Sequence, residues 1–503
     1  MPTFTAADGT RLAYRVLGSG EPLICVPGGA MRASAYLGDL GGLDAHRQLV
    51  LLDLRGTGAS DVPADPATYR CDRQVADLEA LRIHLGLDHI DLLAHSAGAN
   101  LALLYAAAHP RRVRRLALVT PTLWAAGIQV TAEQRREAAL LRKGEPWFDE
   151  VWPRFEARLR GEEPGGSFEA FFYGRWDAQA QAHAADSPRE VNPEAAQRYA
   201  SEGAFDPPAT RAALAALEAD VLVLTGELDG GPRPLVAAGL GEVLPAAEFL
   251  VQPGAAHFPW LDDPGAFRRT LATFLDPSVR TVRTPRGRLA YTVTGPQSAR
   301  PVVLVHGRGA DRRSWTRIAA ELSAEHRVFA VDLTGHGLSD WPGTYSFAGF
   351  RDDLGAFLEA LDLRGATVIG HSMGGAAAWL LAQERPELIG RLVLEEAPTM
   401  VPLDPRRGGA ERPEGELDFD WPLVPATDRD LNDPDPAWSA GYERINAPAL
   451  VIAGGPGSHL PQEQIAAMAA RMPDARLVTI AAAHLVHEAR PAEFLAAIRE
   501  FGL

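Results

Sequence analysis

The chain alternates short apolar runs with longer stretches of helical periodicity. Runs of four or five β-branched and aliphatic residues fall at 23–26, 49–52, 90–93, 116–119, 221–224 and 248–251. A second series falls at 302–305, 328–331, 366–369, 392–394, 449–452 and 476–480. Helical patterns such as 77–85 and 352–361 lie between them. Runs that are apolar on both faces, separated by helices, predict an α/β fold with mostly parallel, twisted sheets covered by helices on both sides. Polar, Gly-bearing turns follow the strand ends, where open sheets of this kind carry their chemistry.

The pattern occurs twice. Arg11-Leu12-Ala13-Tyr14 recurs as Arg288-Leu289-Ala290-Tyr291, and Asp53-Leu54-Arg55-Gly56-Thr57-Gly58-Ala59-Ser60-Asp61 as Asp332-Leu333-Thr334-Gly335-His336-Gly337-Leu338-Ser339-Asp340. Ala94-His95-Ser96-Ala97-Gly98 recurs as Gly370-His371-Ser372-Met373-Gly374, and the three offsets (277, 279 and 276) are nearly constant. This predicts a duplicated domain, 1–276 and 280–503, with a short junction and halves that pack together. A length of 503 residues also suits two domains better than one.

Both serines sit where an apolar run turns into an Ala/Leu-rich helix, with small residues two before and two after. Such a turn lifts the hydroxyl above the sheet and aims backbone N–H groups at whatever binds there. Finding it twice at matching places makes Ser96 and Ser372 candidate nucleophiles. The Asp-x-x-Gly-x-Gly segments at Asp53 and Asp332 are read as structural turns.

These motifs resemble the α/β-hydrolase superfamily, over both halves almost end to end. The resemblance implies two tandem α/β-hydrolase domains, each with a lid insertion, at about 121–205 and a shorter one at about 398–446. It implies backbone oxyanion donors at Gly29 and Ala97 in the first half and at Arg308 and Met373 in the second. It places the base in the loop after the last strand: His257, and His484 in the second half. His487 is expected in a structural or rim role. For the first half the resemblance implies Asp229 as the acid, with Glu227 second. The matching loop of the second half, Ala453-Gly454-Gly455-Pro456-Gly457-Ser458-His459, has no carboxylate. Some superfamily members carry the acid one strand earlier, and Glu396 stands there.

The first half is similar to the proline iminopeptidase branch, through Pro27-Gly28-Gly29, the Asp53 segment and His257-Phe258-Pro259-Trp260. That branch holds a free amine with lid carboxylates, for which Asp149, Glu150 and Asp177 are available. The second half is similar to generic esterase-like members. Trp176 and Trp260 are the aromatic residues expected against substrate.

The expected activity is a serine hydrolase acting on an ester or amide of a small molecule or short peptide. Two alternatives remain: a degenerate second domain serving as scaffold or binding module, and acyl transfer or another non-hydrolytic reaction.

Charge and composition narrow the partners. Acidic residues number 65 against 49 basic, a net charge of −16 that repels nucleic-acid backbones. Mean hydropathy is −0.10 and no apolar run reaches the roughly 20 residues of a membrane span, so no membrane partner is expected. The N-terminus has neither a basic start nor an apolar stretch, and the two cysteines lack CxxC spacing. A cytoplasmic protein without metal or other cofactor is expected.

Overall fold

The computed structural model describes every residue except Pro164 and Glu416, which fall inside the two segments expected as lids. The chain divides into two compact units, Met1–Leu275 and Asp276–Leu503.

The first unit contains β1 (Thr3–Thr5), β2 (Arg11–Leu17), β3 (Pro22–Val26), β4 (Gln48–Leu52), β5 (Ile90–His95), β6 (Val113–Val119), β7 (Asp220–Gly226) and β8 (Glu248–Gln252). They form one sheet in the order β1-β2-β4-β3-β5-β6-β7-β8. The pairs β1/β2 and β2/β4 are antiparallel and the rest parallel. The second unit contains β9 (Val279–Thr284), β10 (Gly287–Thr294), β11 (Pro301–Val305), β12 (Arg327–Val331), β13 (Ala366–His371), β14 (Ile389–Glu395), β15 (Ala449–Ala453) and β16 (Ala475–Thr479). Its sheet has the same order, β9-β10-β12-β11-β13-β14-β15-β16. The fold is therefore two tandem α/β-hydrolase domains.

Strand alternation divides each core in two. On β3, Ile24 and Val26 join one apolar cluster while Leu23 and Cys25 join the other. On β11, Val303 and Val305 face one way and Val302 and Leu304 the other. Helices Val75–His84 and Gly98–Ala108 cover one face of the first sheet, and Pro264–Leu275 covers the other through Phe267, Leu271 and Leu275. Because β5 is buried along its whole length, its sequence carries no polar alternation.

The segment between β6 and β7 holds helices Ala132–Leu140, Phe148–Leu159, Ala178–Glu190, Pro193–Tyr199 and Pro207–Leu214. Phe148, Val151, Phe155 and Phe171 give it an apolar core of its own, with Trp147 and Trp152 packed against it. The shorter segment between β14 and β15 holds Leu423–Asn432 and Pro436–Ala440.

Candidate active sites

Ser96 follows the last residue of β5 with φ 52°, a left-handed conformation that costs a non-glycine residue energy and persists only where the surroundings enforce it. Packing supplies that constraint. A Cβ on Gly28 would lie 2.5 Å from the His95 carbonyl oxygen and 2.7 Å from Ser96 Cβ, so only glycine lets the loop after β3 come this close.

His257, from the loop after β8, approaches Ser96 Oγ through Nε2 at 2.9 Å and Asp229 Oδ2 through Nδ1 at 2.9 Å. Asp229 is 1% exposed, and its other oxygen accepts the Gly231 N–H at 2.8 Å. With Asp229 Oδ2 accepting the Nδ1–H, the Nε2 lone pair faces the serine hydroxyl.

The histidine backbone is held as firmly. Its N–H donates to the Phe172 carbonyl at 2.9 Å, and its carbonyl accepts from Thr120 Oγ1 at 3.0 Å. His95 Nε2 lies 2.9 Å from the same oxygen. The Gly28 N–H donates to the Tyr36 hydroxyl at 2.6 Å, so that hydroxyl gives its own proton to His95 Nδ1, 2.7 Å away. This fixes Nε2–H as the donor to His257. Burial, reinforced by the neighbouring His257, holds the His95 pKa well below the usual histidine value, and the ring stays neutral.

Gly29, Ala30 and Met31 have successive positive φ values of 66°, 34° and 71°. The inserted segment ties this loop down: Asn192 N–H donates to Met31 O at 3.0 Å, and Arg32 Nε to Glu190 Oε2 at 2.8 Å. Tyr199 donates to the Ala97 carbonyl at 2.9 Å. Gly29 and Ala97 both line a cavity of about 230 Å³ that also exposes Ser96 and His257.

Trp176 and Trp260 are corrections to the sequence reading, since neither lines this cavity; Trp124 and Phe172 do. Trp260 is 2% exposed and packs edge-on to His95 at 4.8 Å, because the short helix Pro259–Asp262 turns its ring into the core. Trp176 packs on Tyr173 at 5.4 Å. No carboxylate lines the cavity among the described residues. Asp149 and Glu150 are exposed, and Asp177 caps Ala178–Glu190 by accepting the Ala180 N–H. Glu227 accepts the Gly254 N–H and stands apart from His257.

In the second unit Ser372 has φ 50°, and its Oγ lies 3.0 Å from His484 Nε2. His484 Nδ1 is 3.2 Å from Glu396 Oε2. The carbonyl of His484 again meets the histidine preceding the serine, His371 Nε2, at 2.9 Å. Glu396 Oε1 accepts from the Gly454 N–H at 2.5 Å and from Gln462 Nε2 at 3.1 Å, and Ser458 Oγ donates to Oε2. Burial pushes this carboxyl up, yet the bonds from His484, Ser458, Gly454 and Gln462 outweigh it and hold the pKa below the ordinary glutamate value. The aspartate-free loop thus supplies donors to a carboxylate from the neighbouring strand.

Met373 lies at the start of helix Ser372–Glu384. The Arg308 side chain is bound to Asp428 at 2.7 Å, which leaves only its backbone for the role expected of it. His487 is 2% exposed, bonded through Nδ1 to Glu395 at 2.7 Å and stacked on Trp315 at 3.9 Å, so it sits in the core and not on a rim. Sequence reasoning missed its partner Glu395. Both residues align with apolar ones, Trp260 and Val119, in the first half.

The Asp53 and Asp332 turns are structural. Asp53 accepts from Ser34 N, Ser34 Oγ and Ala59 N at 2.8, 2.7 and 3.0 Å, and Asp332 from Arg312 N, Arg312 Nη1 and Leu338 N at 2.7, 2.6 and 2.9 Å.

A family model described as alpha/beta hydrolase fold matches residues 21–264 and 300–422, more than half of the chain. The chain belongs to that family. An uncharacterized protein of Mycobacterium tuberculosis is 37% identical over 123 residues, 24% of this chain and 36% of its own length. A non-heme chloroperoxidase of Streptomyces lividans is 39% identical over 135 residues, 26% of this chain and 49% of its own. Esterase YbfF of Escherichia coli is 28% identical over 249 residues, 42% of this chain and 96% of its own. The chain thus spans about a third to a half of the first two relatives. Among solved structures, the esterase RhEst1 from Rhodococcus is 26% identical with a TM-score of 0.44, over 55% of this chain and 98% of that one. Among the described residues, no helix is long and apolar enough to cross a membrane.

Proposed function

We propose that the chain is a carboxylic ester hydrolase with two serine sites, one in each half of a duplicated domain, acting on small molecules. The observation that carries this reading is the run of contacts from Ser96 through His257 to Asp229, repeated from Ser372 through His484 to Glu396.

Serine Oγ attacks the ester carbonyl while the histidine Nε2 takes its proton. The carboxylate on Nδ1 stabilises the imidazolium that forms. The N–H groups of Gly29 and Ala97, and of Arg308 and Met373, receive the developing oxyanion, each worth about 3 kcal/mol to the transition state. The imidazolium then protonates the departing alkoxide. Water, deprotonated by the same histidine, releases the acyl group.

Ester cleavage is favoured over aminopeptidase action by the lining of the first cavity, where no carboxylate among the described residues waits for a substrate amine. The name of the relative YbfF, an esterase, supports it. Acid quenching during turnover of p-nitrophenyl acetate tests the reading: the acyl group is expected on the peptides containing Ser96 and Ser372. Turnover without acylation of either serine would refute it.

A further inference from the structure

Among the described residues, Arg135 is the one arginine or lysine in the lining of the first cavity, beside mostly apolar groups such as Leu123, Trp124, Ile128 and Phe172. It stands on helix Ala132–Leu140, whose N-terminus is fixed by a reciprocal cap between Thr131 and Gln134. The acidic residues of that helix are already engaged: Glu133 binds Arg136 at 2.6 Å and Glu137 binds Arg233 at 2.7 Å. The Arg135 guanidinium has no hydrogen bond or ion pair among the described residues. Arg135 also lines a smaller neighbouring cavity together with Phe155, Phe171 and Phe172, and its Nη1 lies 3.8 Å from where a Cβ on Gly231 would sit, as does Asp229 Oδ1. Burial depresses its pKa and only the field of Asp229 opposes this, but an arginine keeps its charge. A half-buried guanidinium without a partner is costly unless a ligand supplies the missing acceptor. Its planar fork matches a carboxylate.

We infer that the first site takes a small ester that carries a carboxylate in its acyl part, held by Arg135 while Ser96 attacks the ester carbonyl. The inference rests on the serine mechanism proposed above. A cavity of about 230 Å³ suits an ester of a short dicarboxylic acid. In the second unit Arg308 and Arg407 share Asp428 at 2.7 and 3.0 Å.

The test uses the full chain carrying Ser372→Ala, so that only the first site turns over. Monomethyl succinate is compared with methyl 4-methylpentanoate, in which an isopropyl group replaces the carboxylate, by acid release in a pH-stat. The charged ester is expected to have the higher kcat/KM. Arg135→Gln should lower the charged-to-neutral ratio about ten- to a hundredfold, mainly through KM, as expected for loss of a charge-assisted hydrogen bond. Arg135→Lys should recover part of it. A guanidinium serving only as counter-charge to Asp229 would alter both esters alike and leave the ratio unchanged. An unchanged ratio, or fluorophosphonate labelling of Ser96 with neither ester consumed, overturns the inference while the serine mechanism stands. Absence of labelling at Ser96 in the Arg135-intact protein removes the mechanism and the inference with it.

Discussion

Thr120 and Glu396 occupy the same place in the two units. Each is the first residue past the strand that neighbours the serine strand, with φ 41° and 49°. Each donates its N–H to the next strand, to Leu224 at 2.7 Å and Ile452 at 3.0 Å. Thr120 reaches the backbone carbonyl of its histidine at 3.0 Å, whereas Glu396 reaches the ring at 3.2 Å. One backbone site thus supports the histidine in two ways, and the carboxylate on its Nδ1 comes from the loop after β7 in one unit and from the residue after β14 in the other.

Substituting Glu396 by Gln should therefore disable the second site while leaving the first intact. In a Ser96→Ala background, loss of the orienting carboxylate is expected to lower kcat by ~10⁴. Steady-state ester hydrolysis measures it, and a drop under tenfold would mean that another group orients His484.

Much of this was legible in the sequence, and the exceptions have physical causes. The central strands announce themselves because both faces are buried. The antiparallel strands β1 and β9 do not, since β1 has three residues and β9 has a single buried valine among exposed arginines and half-buried neighbours. Ser96, His257 and Asp229, and Ser372, His484 and Glu396, were picked out from their turns and strand ends, and the fold brings each three within hydrogen-bond distance. Trp176 and Trp260 misled because aromatic residues near a histidine serve a core as readily as a pocket. Arg135 carried no motif, and only the pairing of its neighbours on the folded helix isolates it.

The approach of the loop after β3 to the serine turn allows no side chain at Gly28. Gly28→Ala should displace Ser96 or the loop, because the new Cβ meets the His95 backbone oxygen at 2.5 Å. Fluorophosphonate labelling of Ser96 is expected to slow about a hundredfold, the effect of roughly 1 Å of misplacement. Labelling of Ser372 should be unaffected, and an unchanged Ser96 rate would contradict the packing argument.

Acid should weaken the second unit through His371. Burial, chiefly, lowers its pKa from 6.5 to about 4. Between those values the unfolded chain binds the proton and the folded chain does not, so stability is present above pH 6.5 and is lost as pH falls toward 4. The displacement corresponds to about 3 kcal/mol. Urea midpoints of second-unit peptides, followed by pulse proteolysis at pH 7 and 4.5, should fall with acid. His371→Gln should flatten the dependence, and an unaltered slope would refute this source of it.

The central claim is that the chain holds two working nucleophiles, each activated by its own histidine. Intact-mass counting of fluorophosphonate adducts tests it most directly. The wild-type chain should take up two equivalents, Ser96→Ala and Ser372→Ala one each, and the double variant none. A single equivalent on the wild-type chain, or adducts persisting on the double variant, would contradict it.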